Sequence, residues 1–356
     1  PARFDAAHDE CYSHDMSFNR THLMCNLTPL GDPLDSTSVY ETPFDDGQYM
    51  IHPDACPIFA SAKAHNRYNE DNPRLDMALK GPEAAQWRDA ITKEMDNLRR
   101  HGTICDEKLI LEDSLKTWDP VKRKASEVLD VMAVLKKKRD ENGNVVEFKA
   151  RIVVVGSQQK CKTPWLDGFT PTTPPSTLRM LIADACLEKK KIYKADVPGA
   201  YLKGVLEESD PVIHVRPLPM ERTFLDGVPL VHKAGTSWYG EVTAGKIWNR
   251  TFIKEVKSNK RGFSQSEFDP CHLYKTYGNG ARIDICLYVD DLFVTLSSDS
   301  AEAQCDFDGL MKHYDCKVEQ NPTYFLGMNI TIVSPSRISI SSSTYLKKAA
   351  DELLPK

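Results

Sequence analysis

The chain has 356 residues, of which 41% are hydrophobic and 27% are charged, and its formal net charge at pH 7 is −5. No run approaches the ~18–20 apolar residues that a membrane-spanning helix needs, which excludes a helical membrane protein. The acidic balance excludes a uniformly basic nucleic-acid coat, although residues 116–162 hold 12 Lys and Arg against 6 Asp and Glu. Such a local basic stretch can guide a phosphate backbone, but most charge runs are simply solvated faces.

Residues 1–75 are rich in Asp, Asn, Pro, Ser and Thr and show little periodicity, which predicts a poorly ordered linker or extension. Five His and Cys residues follow one another there at spacings of three, three, eight and three: His8, Cys11, His14, His22 and Cys25. Zinc knuckles and fingers favour other spacings, so a polar tail is preferred to a zinc site. The chain has ten cysteines without a Cys-x-x-Cys pair, which favours a reducing compartment over a disulfide framework.

The first regular pattern is helical. Apolar residues recur at steps of three and four between Gly81 and Gly102, and they are Trp87, Ile91, Met95 and Leu98. This spacing predicts an amphipathic helix whose apolar face packs on a core.

From residue 128 the period changes to that of strands. Two apolar runs, 128–135 and 145–156, flank the dipeptide Asn142-Gly143, which is a strong hairpin signal. A helix over 177–187 and a strand ending at Asp196 follow.

The rest of the chain continues with mixed elements. The pattern predicts a polar, Pro-rich stretch after Asp196, a helix over 245–257, two paired strands over 282–296, a helix over 300–313 and strands over 324–341. This order is typical of the α+β class rather than of a doubly wound parallel sheet.

The most informative segment places Asp290 and Asp291 between two apolar runs that are typical of buried strands. An Asp-Asp pair at a hairpin tip is an ordinary polar turn in most proteins, but here the carboxylates would be held at the edge of a core. Asp196 ends another apolar strand, and neighbouring strands could bring it beside Asp290. Carboxylates so placed suit Mg²⁺, and two-metal phosphoryl transfer requires such a cluster.

With these residues the sequence resembles the reverse transcriptases of Ty1/copia-type retrotransposons. Residues 288–292, Tyr-Val-Asp-Asp-Leu, resemble the Tyr-x-Asp-Asp box of that family. Further motifs match in the family's order: Trp87, Ala90, Glu94 and Leu98 of an upstream helix, Lys138, Gly143 and 149–156 of the fingers hairpin, and the segments 196–204, 269–274 and 324–327. The resemblance covers residues 80–350, and several motifs in one order make it specific.

The resemblance implies a right-hand polymerase of the α+β class, with fingers and palm, an antiparallel palm sheet packed on helices, and a truncated thumb. It implies an N-terminal helix and fingers hairpin at 76–165, a palm with fingers insertions at 166–341, and the start of the thumb at 342–356. The chain begins without Met and stops soon after Tyr345, so we expect a piece excised from a longer protein.

The resemblance also assigns site residues. Two Mg²⁺ ions, with Mn²⁺ as a substitute, would be held by Asp196, Asp290 and the backbone carbonyl of Val197, with Asp291 as a less directly engaged neighbour. The implied nucleotide-binding residues are Arg151, Lys149, Lys138 and Tyr201, of which Tyr201 would exclude a 2′-hydroxyl. Lys317 would protonate the leaving pyrophosphate. The implied template and primer contacts are Tyr239, Gly240, Thr243, Leu326 and Gly327.

The implied function is an RNA-directed DNA polymerase that copies retrotransposon RNA by two-metal nucleotidyl transfer. Its partners would be an RNA template, a DNA or tRNA primer, deoxynucleoside triphosphates, and the integrase and RNase H parts of the same polyprotein, with no membrane. The implied location is intracellular, in cytoplasmic virus-like particles or the nucleus, rather than secreted.

The chain departs from the family pattern at several positions. Val242-Thr243 replaces a Lys-Gln pair, and Gly245, Ala133 and Ser343 replace Pro, Trp and Gln. Loss of that Gln would weaken fidelity or turnover.

Two alternatives therefore stay open. The first is a catalytically weak or domesticated remnant that only binds nucleic acid, which would bind a primer without extending it. The second is another palm-type metal enzyme such as a cyclase, which would need neither the motif at 149–156 nor that at 324–327.

Overall fold

The computed structural model describes residues 41–43, 49–51, 69–115, 127–140, 142–159 and 169–353, and the chain divides into two units, 1–67 and 68–356. In the first unit, within the predicted linker, two short strands pair antiparallel: β1 (Glu41–Pro43) and β2 (Tyr49–Ile51). Near the start of the second unit, the backbone oxygen of Asp71 accepts the amide of Lys137 at 2.7 Å.

The second unit mixes helices and strands. The helices of its described part are α1 (Leu75–Ala78), α2 (Ala84–Arg100), α3 (Pro175–Leu187), α4 (Ala244–Val256), α5 (Ala301–His313) and α6 (Ser343–Leu353). The strands are β3 (Leu109–Leu111), β4 (Glu127–Arg139), β5 (Val145–Val154), β6 (Lys191–Asp196), β7 (Ile213–Arg216), β8 (Phe224–Leu225), β9 (Val228–Lys233), β10 (Ser264–Gln265), β11 (His272–Thr276), β12 (Arg282–Tyr288), β13 (Asp291–Leu296), β14 (Lys317–Gln320), β15 (Tyr324–Phe325), β16 (Met328–Ser334) and β17 (Arg337–Ser341).

Six antiparallel strands form the central sheet, in the order β10-β11-β12-β13-β6-β14. Successive side chains of a strand point to opposite faces, and both faces of this sheet are covered. In β13, Leu292 and Val294 pack with α4 and α5, whereas Phe293 packs with α3 on the other side. Because both faces are buried, the strand sequence is a continuous apolar run rather than an alternating one.

A second sheet has the order β3-β9-β7-β4-β5, with β8 paired to β9. Its β4 and β5 are the hairpin predicted around Asn142-Gly143, and helix α2 packs against β5. The Trp87 ring meets that of Phe148 edge-on at 4.8 Å between centroids. The apolar face predicted for this helix is therefore its packing face.

A small sheet, β15-β16-β17, lies on the α3 side of the central sheet. Phe325 of β15 contacts Phe293 of β13, with ring centroids 5.2 Å apart. Helix α6 follows β17 along the chain.

The predicted α+β class is confirmed, as are the predicted helices and hairpins, with shifts of one or two residues at their ends. No strand is predicted between Asp196 and residue 245, and this is wrong because β7, β8 and β9 lie there. Strand β7 pairs in parallel with β4, which is distant along the chain, so local pattern does not show it. Among the helices of the described ranges, none has the length and apolarity to cross a membrane.

Candidate active site

The acidic hairpin is a tight two-residue turn. Tyr288 and Asp291 are paired across β12 and β13, so only Val289 and Asp290 lie between the strands. Val289 has φ +58°, a left-handed conformation that costs a β-branched residue about 1–3 kcal/mol. The turn is held from outside: the Val197 amide donates to the Asp290 carbonyl at 2.8 Å.

Strand β6 brings the third acid to the same sheet edge. Asp196 is the register partner of Asp291 on one side and of Lys317 on the other. The predicted juxtaposition of Asp196 with the Asp290-Asp291 turn is thus present in the structure. It follows from β6 pairing with β13.

A cavity of about 330 Å³ opens between this sheet edge and the hairpin of the second sheet. Eight of the residues assigned from the sequence line it: Lys149, Arg151, Asp196, Val197, Tyr201, Tyr239, Asp290 and Lys317. They come from both sheets and from the loops that follow β6 and precede α4. The cavity therefore collects acids, cations and tyrosines from distant parts of the chain.

Two cavity cations on β5, Lys149 and Arg151, differ from three neighbouring cations on β4. Lys137, Lys138 and Arg139 are engaged in ion pairs, and Lys138 meets Glu147 at 2.5 Å. Lys149 and Arg151 form no ion pair among the described residues.

Lys149 and Arg151 instead lie on one wall of the cavity, near each other and near Tyr239. Burial, with the neighbouring Arg151, lowers the pKa of Lys149. The Arg151 guanidinium lies 5.9 Å from the centroid of the Tyr239 ring. Lys149 and Arg151 are thus available to an anion, whereas Lys138, predicted as a third nucleotide contact, is paired and lies outside the cavity lining.

The three aspartates are not equivalent. Within the described part of the chain, the Asp196 and Asp290 side chains have neither a hydrogen bond nor an ion pair, and both line the cavity. Asp291 is outside the lining, 3.9 Å from the Lys194 ammonium, and burial raises its pKa. Asp291 therefore differs from the other two acids, because it has a cationic neighbour and lies outside the cavity lining.

The described residues contain no group of three or more His, Cys, Asp or Glu side chains arranged to hold a metal ion. The donor set in the cavity is two carboxylates, of Asp196 and Asp290, beside the backbone of Val197. Mg²⁺ typically takes one or two protein carboxylates and completes its shell with water and substrate phosphates. The residues present fit a magnesium ion of that kind.

Two tyrosines form one wall of the cavity. The rings of Tyr201 and Tyr239 meet edge-on, with centroids 6.0 Å apart. Burial raises the pKa of Tyr239 to about 12, and burial with the nearby Asp290 raises that of Tyr201. Both hydroxyls are therefore neutral hydrogen-bonding groups at physiological pH.

Two of the predicted template contacts, Gly240 and Thr243, are not part of the lining. Gly240 has φ +85° and lies against β5, where the preceding carbonyl of Tyr239 accepts the Val154 amide at 2.7 Å. Thr243 is buried, and its hydroxyl donates to Glu241 at 2.7 Å. Neither residue presents a side chain to the cavity.

The predicted primer contacts, Leu326 and Gly327, lie on the small sheet. They form the two-residue turn between β15 and β16, with φ of +44° and +85°. Neither lines the cavity.

The cavity also holds Glu94 and Asn97 of α2, which were not assigned to the site from the sequence. The Asn97 amide donates to Glu94 Oε2 at 3.4 Å, and burial raises the pKa of this carboxyl. A signal for it exists in the sequence. Glu94 is seven residues after Trp87, so it places a carboxylate on the apolar face of the helix.

The His and Cys residues at positions 8–25 lie outside the described residues. The zinc interpretation of that segment stays a sequence-based hypothesis.

The chain is also similar in sequence to a known protein family and to several curated proteins. Residues 115–353 match the family model described as reverse transcriptase (RNA-dependent DNA polymerase). The chain is 28% identical over 278 residues to a retrovirus-related Pol polyprotein from transposon TNT 1-94 of Nicotiana tabacum, covering 78% of this chain and 19% of the relative.

A second relative is the retrovirus-related Pol polyprotein from transposon RE1 of Arabidopsis thaliana, 24% identical over 280 residues, with 77% of this chain and 18% of the relative covered. A third, the retrovirus-related Pol polyprotein from transposon RE2 of the same plant, is 26% identical over 235 residues. This match covers 64% of this chain and 15% of the relative. The chain thus spans less than a fifth of the length of these curated relatives.

Proposed function

The chain belongs to the reverse transcriptase (RNA-dependent DNA polymerase) family of Ty1/copia-type retrotransposons, and on that premise we propose that it extends primers on an RNA template. The observation that carries the proposal is the cavity that joins the carboxylates of Asp196 and Asp290 to the cations Lys149 and Arg151, none of which forms an ion pair with another described residue. Nucleotidyl transfer needs both kinds of group, because cations must neutralise the triphosphate and carboxylates would hold the metal ions while the primer 3′-oxygen attacks the α-phosphate and pyrophosphate leaves.

In this proposal Asp196, Asp290 and the Val197 carbonyl would hold two Mg²⁺ ions, which Mn²⁺ could replace. When bound, the ions lower the pKa of the primer 3′-hydroxyl and neutralise the pyrophosphate. Asp291 stays with Lys194 at the margin of the site. The negative charge of Asp291 contributes mainly to the electrostatic potential at the sheet edge and less to direct binding of the metal ions.

The chain's own groups do the remaining work on the nucleotide. Arg151 presents a fixed, planar set of donors to the triphosphate, and Lys149 adds a second positive charge. Tyr201 lies beneath the sugar and excludes a 2′-hydroxyl, which favours deoxynucleotides. Lys317, opposite Asp196 in the sheet, donates a proton to the leaving pyrophosphate.

The architecture supports the same proposal. The central sheet corresponds to a palm, the β4-β5 hairpin to fingers, and the turn at Leu326-Gly327 to a support for the primer strand. Helix α6 would begin a thumb. An RNA template, a DNA or tRNA primer, and the integrase and RNase H parts of a longer Pol polyprotein would be its partners.

The direct test is extension of a DNA primer on an RNA template with deoxynucleotides and Mg²⁺ or Mn²⁺. Asp290→Asn removes a metal-binding charge without changing size, so extension should fall at least about 100-fold. Asp226→Asn is the matched control, because Asp226 also lies in a two-residue hairpin turn, with φ +51°, and is exposed. Equal losses in the two variants would contradict the proposal.

One observation favours the second candidate, a remnant that binds nucleic acid without copying it. At position 243 the family has Gln, whereas here Thr243 lies outside the cavity lining and its hydroxyl donates to Glu241. Wild-type protein that binds a primer–template duplex but does not extend it would support this candidate. Restoring Lys-Gln at Val242-Thr243 would then be expected to raise extension.

A further inference from the structure

The turn that carries Asp290 is strained and needs support. Val289 holds φ +58°, and such a conformation persists in a β-branched residue only where surrounding contacts fix it. The Val197 amide fixes the carbonyl of Asp290. The carbonyl of Val289 is fixed by a different group.

That group is the indole of Trp248 on helix α4. Its Nε1–H donates to the Val289 carbonyl oxygen at 2.6 Å, and the residue is fully buried. The ring is itself held by aromatic neighbours, since its centroid lies 5.6 Å from that of Phe252 and 5.5 Å from that of Tyr314. The indole therefore reaches the turn from a rigid position.

We propose that Trp248 is a positioning residue for the metal-binding carboxylate: its indole N–H holds the Val289 carbonyl and so fixes the direction in which Asp290 points. This inference rests on the proposed function in assigning Asp290 to metal. Trp248 does not line the cavity, so it acts through the turn and not on substrate. Groups of this kind, one contact removed from a metal ligand, typically change metal affinity or activity by about 10- to 100-fold.

The test compares two tryptophans that make the same kind of bond. Trp248→Phe removes the N–H and keeps an aromatic ring. Trp238→Phe is the matched control, because Trp238 is also buried and its Nε1–H donates to the carbonyl of Ile152 at 2.8 Å, away from the acidic turn. Both variants lose one buried hydrogen bond, so both should lose thermal stability.

Only Trp248→Phe should weaken metal binding. With Mn²⁺ alone as the probe, followed by water proton relaxation, we expect its affinity to fall about 10-fold. Trp238→Phe should stay within about twofold of the wild type, because only bonds at the acidic turn act on the metal carboxylates. Equal affinities in the two variants would overturn the proposal.

Two further readouts keep the inference separate from the proposed function. In primer extension, Trp248→Phe should raise the Mg²⁺ concentration for half-maximal rate, which a purely structural defect would not do. If the wild type extends no primer, the proposed function fails, but the Mn²⁺ measurement still decides the role of Trp248. If Trp248→Phe does not fold, Mg²⁺ titration of the wild type should move the NMR resonance of the Trp248 indole N–H and not that of Trp238. Failure of the Trp248 resonance to move would overturn the proposal.

Discussion

Replacing Gly240 by Ala tests the packing that joins the two walls of the cavity. Gly240 has φ +85°, and a Cβ there would overlap the Val154 carbonyl oxygen and lie 3.1 Å from the Val154 amide nitrogen. Backbone atoms of a paired strand cannot swing aside as a flexible side chain can. The conformational cost of a left-handed Ala is about 1 kcal/mol, and overpacking adds about 1–3 kcal/mol. We therefore expect Gly240→Ala to lower the free energy of unfolding by about 2–4 kcal/mol.

Gly227→Ala separates the two contributions. Gly227 has φ +80° but no heavy atom within 4 Å of the position of its Cβ, so this variant has only the conformational cost of about 1 kcal/mol. Urea denaturation of both variants measures the difference. Since β5 carries Arg151, whose guanidinium lies 5.9 Å from the Tyr239 ring, Gly240→Ala should also raise the KM for deoxynucleotides. Equal losses of unfolding free energy in Gly240→Ala and Gly227→Ala would refute the close approach of Gly240 to Val154 of β5.

Three other predictions follow from single contacts. Arg151→Ala should raise the KM for deoxynucleotides about tenfold or more, whereas Lys138→Ala, which loses an exposed ion pair with no role in the cavity, should change it little in the same steady-state assay. Asp284 is buried, accepts hydrogen bonds from His272 and Arg282, and has a lowered pKa, so its ionised form stabilises the fold. Asp284→Asn should therefore lower the free energy of unfolding by about 3 kcal/mol at pH 7, as measured by urea denaturation. The difference in this free energy between variant and wild type should narrow as the pH falls below about 4. Tyr201→Ala should admit ribonucleotides, seen as an increased ratio of ribonucleotide to deoxynucleotide incorporation; an unchanged ratio would count against its place beneath the sugar.

Local pattern was enough to predict much of the fold. The steps of three and four from Trp87 to Leu98 indicate helix α2, and Asn142-Gly143 between apolar runs indicates the β4-β5 hairpin, because both signals act over neighbouring residues. Strand β7 carries no such signal. It has four residues, and its parallel partner β4 is far away in the chain, so its formation depends on tertiary contacts.

Within the candidate site, the sequence by itself determined which acidic and basic groups are present. The acids at 196, 290 and 291 and the cations at 149 and 151 are visible as motifs. Only the tertiary structure decided which of them share a cavity. It pairs Lys138 with Glu147 and Asp291 with Lys194, turns Thr243 toward Glu241, and adds Glu94 to the lining. The physical reason is that a motif fixes residue type and spacing, whereas the partner of a charge depends on which strand or helix packs beside it.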